Sequence, residues 1–169
     1  MHRFKEITPY EVENAMKLIG KDWMLITASD GSNTNTMTAS WGSMGVLWNK
    51  SVCTVYIRPQ RYTYEIVERS DKLTLSFFDE KYRSALKYCG TKSGRDCNKF
   101  KDMELTTATV DGAPVICEAR LVLVCKKLYA DDIRENNFIS KEPLSNYGEN
   151  DFHRFYICEI EKVLKRIEE

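Results

Sequence analysis

The period of the apolar positions changes at Trp23. Before it, Val12, Ala15, Met16 and Ile19 recur at intervals of three and four, the spacing of one helix face. Thr8 stands where an N-cap belongs, with Pro9 at the first helical position and Glu11 three residues after the cap, so a capping box is expected to open this helix and Gly20 to end it. From Trp23 onward the pattern shifts to short β-favouring runs broken by turn residues: WMLITAS, the turn DGSN, TNTMTASW, and SVCTVYI running up to Pro59. Tyr62 to Arg69 returns to helical spacing, LTLSFF predicts another strand, and Glu80 to Tyr88 a second short helix.

The second half is more strongly β. The stretch Thr91 to Asp102 (TKSGRDCNKFKD) is polar, cationic and glycine-containing, which predicts an exposed loop. ELTTATVD, APVICEARLVLVCKKLYA and FHRFYICEIEKVLKRI then predict strands. Ala119 to Cys125 is apolar at nearly every position, and a strand apolar on both faces must be covered on both, as in a small barrel with helices or a partner subunit outside. Long strands with few short helices argue for a mainly β, antiparallel barrel with peripheral helices and against a doubly wound parallel sheet. No repeat or Pro/Gly/Ser-rich linker divides the chain, so residues 1–169 are expected to form one domain.

Composition narrows the partners. Lys plus Arg and Asp plus Glu both number 25, so no overall field draws the chain to nucleic acid or an anionic membrane. Neither a signal-peptide apolar run nor a bilayer-length segment is present, which gives a cytoplasmic expectation. The six cysteines include no Cys-x-x-Cys pair and are expected to be mostly reduced and buried. His2 and His153 lie at opposite ends of the sequence, so neither a metal site nor a hydrolytic acid/base pair is expected.

Nucleotide-loop motifs of the Gly-x-Gly-x-x-Gly and Gly-x-x-x-x-Gly-Lys-Ser/Thr kinds are absent, so a nucleotide would have to be held another way. Three donor-rich segments offer one. Thr36, Thr38, Ala39 and Ser40 supply hydroxyls and small side chains that admit a ligand to the backbone, although threonines also simply favour strands. Arg58, Pro59, Arg61 and Thr63 form a turn in which two arginines at i and i+3 can meet one phosphate and Thr63 can cap the following helix. Ser93, Gly94, Arg95 and Lys99 form the third segment. Trp41, beside the hydroxyl cluster, could border an isoalloxazine or a nicotinamide ring, whereas Trp48 reads as packing in the core or at an interface. Together these features suit a phosphorylated, planar cofactor.

The ordered set NTMTASWGSMGVLWNK, YIRPQRYTYE, CGTKSGRD and HRFYICEI resembles the flavin reductase-like, flavoredoxin-type proteins that bind FMN on a split β-barrel, over most of the chain from Trp23 to Ile160. The resemblance implies a six-stranded antiparallel Greek-key split barrel and a homodimer with FMN near the subunit interface. It implies that Thr36, Thr38, Ala39 and Ser40 line the flavin ring and ribityl chain. Arg58, Arg61 and Thr63 would then hold the phosphate side, and Ser93, Gly94, Arg95 and Lys99 would close over the cofactor. Cys97 and Asn98 depart from the family's usual residues in that loop. The implied activity is NAD(P)H-dependent reduction of flavin, with electrons passed to free flavin or another acceptor and no catalytic side chain required. The alternative is a flavoredoxin-type electron carrier that keeps FMN and exchanges electrons with a redox protein partner.

Overall fold

The computed structural model describes residues 3–149 and 151–167, and His2 lies outside them. The strands are β1 (Phe4–Ile7), β2 (Met24–Ser29), β3 (Thr34–Ala39), β4 (Gly42–Leu47), β5 (Lys50–Ile57), β6 (Lys72–Phe77), β7 (Thr107–Val110), β8 (Ala113–Ile116), β9 (Leu121–Asp132) and β10 (Arg154–Arg166). The helices are α1 (Ala15–Lys17), α2 (Tyr62–Arg69), α3 (Arg83–Thr91) and α4 (Lys99–Asp102). The main sheet runs β3-β2-β6-β9-β10-β5-β4, with β1 on the far half of β10, and β7-β8 form a separate hairpin. Every pairing is antiparallel.

Ser40 and Trp41 are the only residues between β3 and β4, which occupy opposite ends of that order. An extended chain gains at most about 3.6 Å per residue, so the three steps from Ala39 to Gly42 bridge about 11 Å. Seven strands laid flat at about 4.8 Å spacing would hold β3 and β4 about 29 Å apart. The sheet must therefore curl until its edges nearly meet. Because β3 and β4 do not pair with each other, the result is a barrel split at the Ser40–Trp41 seam.

Strand β9 shows why both of its faces are apolar. Leu121, Leu123 and Cys125 join the barrel interior with Met24, Ile26, Val55 and Phe77. Val122 and Val124 face the other way and pack with Leu86 and Cys89 of α3 and with Val115 and Ile116 of β8. The continuous run predicted to be covered on both sides is covered by that helix and hairpin. The cysteines are free, and all but Cys97 are buried. Cys53 and Cys125 approach to 3.5 Å across the interior.

The main sheet has eight strands where the resemblance implied six; the apolar pattern predicted neither β1, which is short, nor β4, whose glycines (GSMGVL) disguise its alternation. The continuous helix expected from Pro9 to Gly20 is also corrected. The Glu11 carboxylate does accept from the Thr8 N–H at 2.7 Å and the Thr8 hydroxyl at 3.1 Å, but the turn stops at Glu11. Asn14 then takes a left-handed conformation (φ 53°), and its side chain accepts from the Lys17 N–H at 3.1 Å, starting a second short helix. That helix continues as a π-helical turn over Leu18–Asp22 with Gly20 inside it, and the stop falls at Trp23 (φ 65°). The expected loop at Thr91 to Asp102 contains α4, which the Asn98 side chain caps through the Lys101 N–H at 3.1 Å. Trp48 does not pack in the core; it is 54% exposed at the β4–β5 turn. No helix among the described residues is long and apolar enough to cross a membrane.

The seam leaves a marked contrast between two glycines of β4. A Cβ on Gly42 would lie 2.9 Å from the Thr54 carbonyl oxygen and 3.3 Å from Met24 Cε, whereas one on Gly45 would meet nothing within 4 Å. Gly42→Ala is expected to cost about 1–3 kcal/mol in urea denaturation, and Gly45→Ala to cost little. Equal midpoints for the two variants would show that the seam tolerates more volume than its contacts allow.

Candidate functional site

A cavity of about 230 Å³ opens beside the seam, lined by Met37 to Trp41, Tyr56, Arg58, Arg61, Gly90 and His153. Its walls come from the end of β3, the end of β5, the approach to α2, the C-terminal part of α3 and the approach to β10. The lining contains two arginines and no carboxylate. Aromatic rings border it: Trp41 and His153 lie 5.0 Å apart between centroids, and Tyr56 meets His153 edge-on at 6.4 Å.

Of the residues singled out in the sequence, Thr38, Ala39, Ser40, Trp41, Arg58 and Arg61 line this cavity. The Thr38 hydroxyl donates to the Leu86 carbonyl at 2.5 Å, which ties the end of β3 to α3. Thr36 is fully buried, and its hydroxyl is occupied by Thr27 at 2.9 Å and the Ile26 carbonyl at 3.1 Å, so its side chain does not reach the cavity. Thr63 is likewise buried and accepts from Asn35 Nδ2 at 2.9 Å.

The cations differ in how they are compensated. Arg58 is ion-paired with Asp151, donates to the Asn146 carbonyl at 2.7 Å and stacks over the Tyr147 ring at 5.3 Å. Arg95 is ion-paired with Glu65 and donates to the Gln60 carbonyl at 3.2 Å. Arg61 donates only to the Gly90 carbonyl at 2.9 Å and makes no ion pair among the described residues. Burial and then the neighbouring Arg58 charge push the Arg61 guanidinium below its ordinary value. Lys99 is 3% exposed and donates to the carbonyls of Thr36 at 2.8 Å and Cys89 at 2.9 Å, again without a carboxylate. Burial pushes its ammonium down as well.

Ser93, Gly94, Arg95 and Lys99 are not in the aromatic cavity. Gly94, Arg95 and Lys99 line a separate depression bordered by Asn35 and Tyr62. The Ser93 hydroxyl accepts from the Arg95 N–H at 3.2 Å and so shapes the turn. Gly94 is required there, since a Cβ would lie 2.2 Å from Asn35 Oδ1.

Sequence reasoning missed Tyr56 and His153, which reach the cavity only through the β5–β10 pairing. His153 is buried and its Nδ1 lies 3.2 Å from the Tyr147 hydroxyl; it opens the segment HRFYICEI, the one signal that could have pointed to it. Cys89 is enclosed, and burial pushes its thiol up to about 11. That is the wrong direction for a reactive thiolate. Among the described residues no cluster of three His, Cys, Asp or Glu side chains could hold a metal ion.

A planar group carrying a phosphate fits these residues. Aromatic and small side chains form the walls, and Arg61 supplies a half-buried positive charge without a counter-ion among the described residues. At about 230 Å³ the cavity is large enough for a ring system.

The fold matches known structures along nearly its whole length. An FMN-binding domain of a flavin reductases-like enzyme from Shewanella baltica superposes with a TM-score of 0.69 at 18% identity, covering 97% of this chain and 78% of that one. The flavoredoxin of Desulfovibrio vulgaris gives 0.67 at 21%, covering 86% and 69%. An NADH:FAD oxidoreductase of Streptomyces globisporus, in complex with NAD and FAD fragments, gives 0.63 at 14%, covering 86% and 77%. A search of curated proteins finds no match. The sequence model of the flavin reductase like domain matches residues 16–166, and the chain belongs to that family.

Proposed function

We propose that this chain is an FMN-binding oxidoreductase that takes electrons from NAD(P)H and passes them through flavin to free flavin or another acceptor. The observation that carries the reading is the carboxylate-free cavity, lined by aromatic side chains and by an Arg61 that has no acid partner among the described residues. Bound flavin would supply the hydride and electron chemistry. Thr38, Ala39 and Ser40 would let its polar edge approach the backbone, Trp41, Tyr56 and His153 would border its ring, and Arg61 would meet its phosphate. Arg58, already held by Asp151 and Asn146, is a weaker candidate for that phosphate.

The reading includes a homodimer with flavin near the interface. In β4 and at its two ends, Trp41, Val46 and Trp48 are 43%, 66% and 54% exposed, apolar surface that a second copy would cover. Five buried free thiols and a nicotinamide donor suit the cytoplasm. A carrier that exchanges electrons with a redox protein is the alternative, and it uses the same cavity.

Two measurements test the site and its chemistry. In equilibrium titrations Arg61→Ala should weaken FMN binding by roughly 10- to 100-fold while changing riboflavin binding little, and equal losses would remove the phosphate from Arg61. In stopped-flow mixing, flavin-loaded protein should bleach rapidly with NADH or NADPH. Bleaching only by a reduced protein would favour the carrier.

His153 gives a third prediction. Burial, and then the Arg58 charge, pushes its imidazole from the ordinary 6.5 down to about 4. Between those values the unfolded chain takes up a proton that the folded chain refuses, so stability is intact above pH 6.5 and falls as the pH drops toward 4. The loss is on the order of 3 kcal/mol. The stability advantage of wild type over His153→Gln should therefore shrink as pH falls from 7 to 4, and a difference independent of pH would place the imidazole in water.

A further inference from the structure

Strand β10 borders a cavity at each of its ends. His153, just before it, lines the cavity described above, whereas Lys165 and Arg166 at its end line a second one of about 640 Å³. The strand register explains how lysine comes to line it. Leu123, Val163 and Ile7 form one row across β9, β10 and β1, and Leu121, Lys165 and Lys5 form the next row on the same face. Leu121, Leu123 and Val163 belong to the barrel interior, so the inward face ends on two lysines directly opposite each other.

Like charges placed directly opposite, with Cβ atoms about 5 Å apart, destabilise a ladder. An inward lysine on an edge strand guards against unwanted pairing. That accounts for Lys5, since β1 pairs with β10 alone among the described residues, but not for Lys165, because β10 lies between β9 and β1 there. Neither charge is answered: the lysine ion pairs among the described residues belong to Lys17, Lys50, Lys72 and Lys162. The arginines of the cavity are engaged, Arg120 with Asp22 and Arg166 with Asp79, each at 2.6 Å. Glu11 is the acid that feels both lysines, but the Thr8 N–H at 2.7 Å and the Thr8 hydroxyl at 3.1 Å hold its carboxylate, and it pairs with neither.

The floor is apolar. Leu18 and Leu121 are buried, and Ile7 and Val12 pack partly buried against the interior. Four basic side chains and three acidic ones (Glu11, Glu13 and Asp79) line the cavity, which leaves one positive charge over. Its volume is that of a small-molecule site.

We propose that this end of the barrel is a second ligand site, for a singly charged amphipathic anion: a carboxylic acid whose carboxylate bridges Lys5 and Lys165 and whose apolar chain lies on Ile7, Val12, Leu18 and Leu121. The single surplus charge matches one carboxylate, and the second charge of a phosphate monoester would be opposed by the three acids. The site is separate from the flavin cavity and does not depend on the flavin reading.

Calorimetric titration of the purified chain with octanoate tests it, with octanol and acetate as probes of the chain and the charge alone. Octanoate should saturate at one per chain, octanol and acetate should each bind at least about tenfold more weakly, and saturating FMN should leave octanoate affinity unchanged. Lys5→Met and Lys165→Met should each lower octanoate affinity about tenfold or more. Without ligand, each should raise the thermal midpoint by about 1–4 °C, because the opposed charges are relieved. Val12→Trp fills the floor and should abolish binding while both lysines remain. Octanol binding as tightly as octanoate, displacement of octanoate by FMN, or an affinity that survives all three substitutions would overturn the site. Midpoints that fall in both lysine variants would overturn it too, since the two charges would then be answered within the chain.

Discussion

Two residues, Ser40 and Trp41, carry the chain from one edge of the main sheet to the other, and much of the molecule follows from that short span. It forces the sheet to curl and brings the ends of β3 and β5 to one mouth. It also leaves β3 with a free edge on its side away from β2. An unpaired edge exposes backbone groups that must be answered or covered. Here the answer comes from the α3–α4 region, where Lys99 donates to the Thr36 carbonyl and the Leu86 carbonyl takes the Thr38 hydroxyl. The seam and the helices that close over it thus form one construction, and the cavity is the space they leave.

That construction explains how a buried ammonium is tolerated. A lone charge in an apolar interior is costly, and two carbonyl bonds offset only part of the cost. Lys99 and Arg61 both lie near α3 without a carboxylate, and each is pushed toward its neutral form by burial. Arg58 and Arg95 are different. Each has an acid partner, and that pairing fixes the position of a loop or an aromatic ring and adds little to the local field.

What the sequence revealed followed from locality. Strands with clean alternation, the helix Tyr62–Arg69 and the doubly covered run in β9 were legible because period and composition act within one segment. The first helix was misjudged because one left-handed asparagine, stabilised by its own side chain, outweighs a helical apolar spacing. Strand β4 was hidden by Gly42, whose small size answers a contact with Thr54 across the ladder and thus a partner invisible to local pattern. In the site, Thr38 to Trp41 and Arg61 were legible as donors beside small residues. The burial of Thr36 and the appearance of His153 were not, because strand facing and the β5–β10 register decide them.

The same distinction orders the two arginines that the turn presents. From sequence, Arg58 and Arg61 are equivalent, three residues apart and both able to reach one phosphate. In the fold they stand on opposite sides of Pro59, and the long β9–β10 connection lays Asn146, Tyr147 and Asp151 against Arg58 alone. To serve a phosphate, Arg58 would have to leave a carboxylate, a carbonyl and an aromatic face, exchanging one charge-assisted contact for another with small net gain. Arg61 gives up a single carbonyl bond and gains its first counter-charge. The β9–β10 connection therefore decides which of the two arginines has an acid partner, and it does so from a part of the chain that shares no motif with the turn it controls.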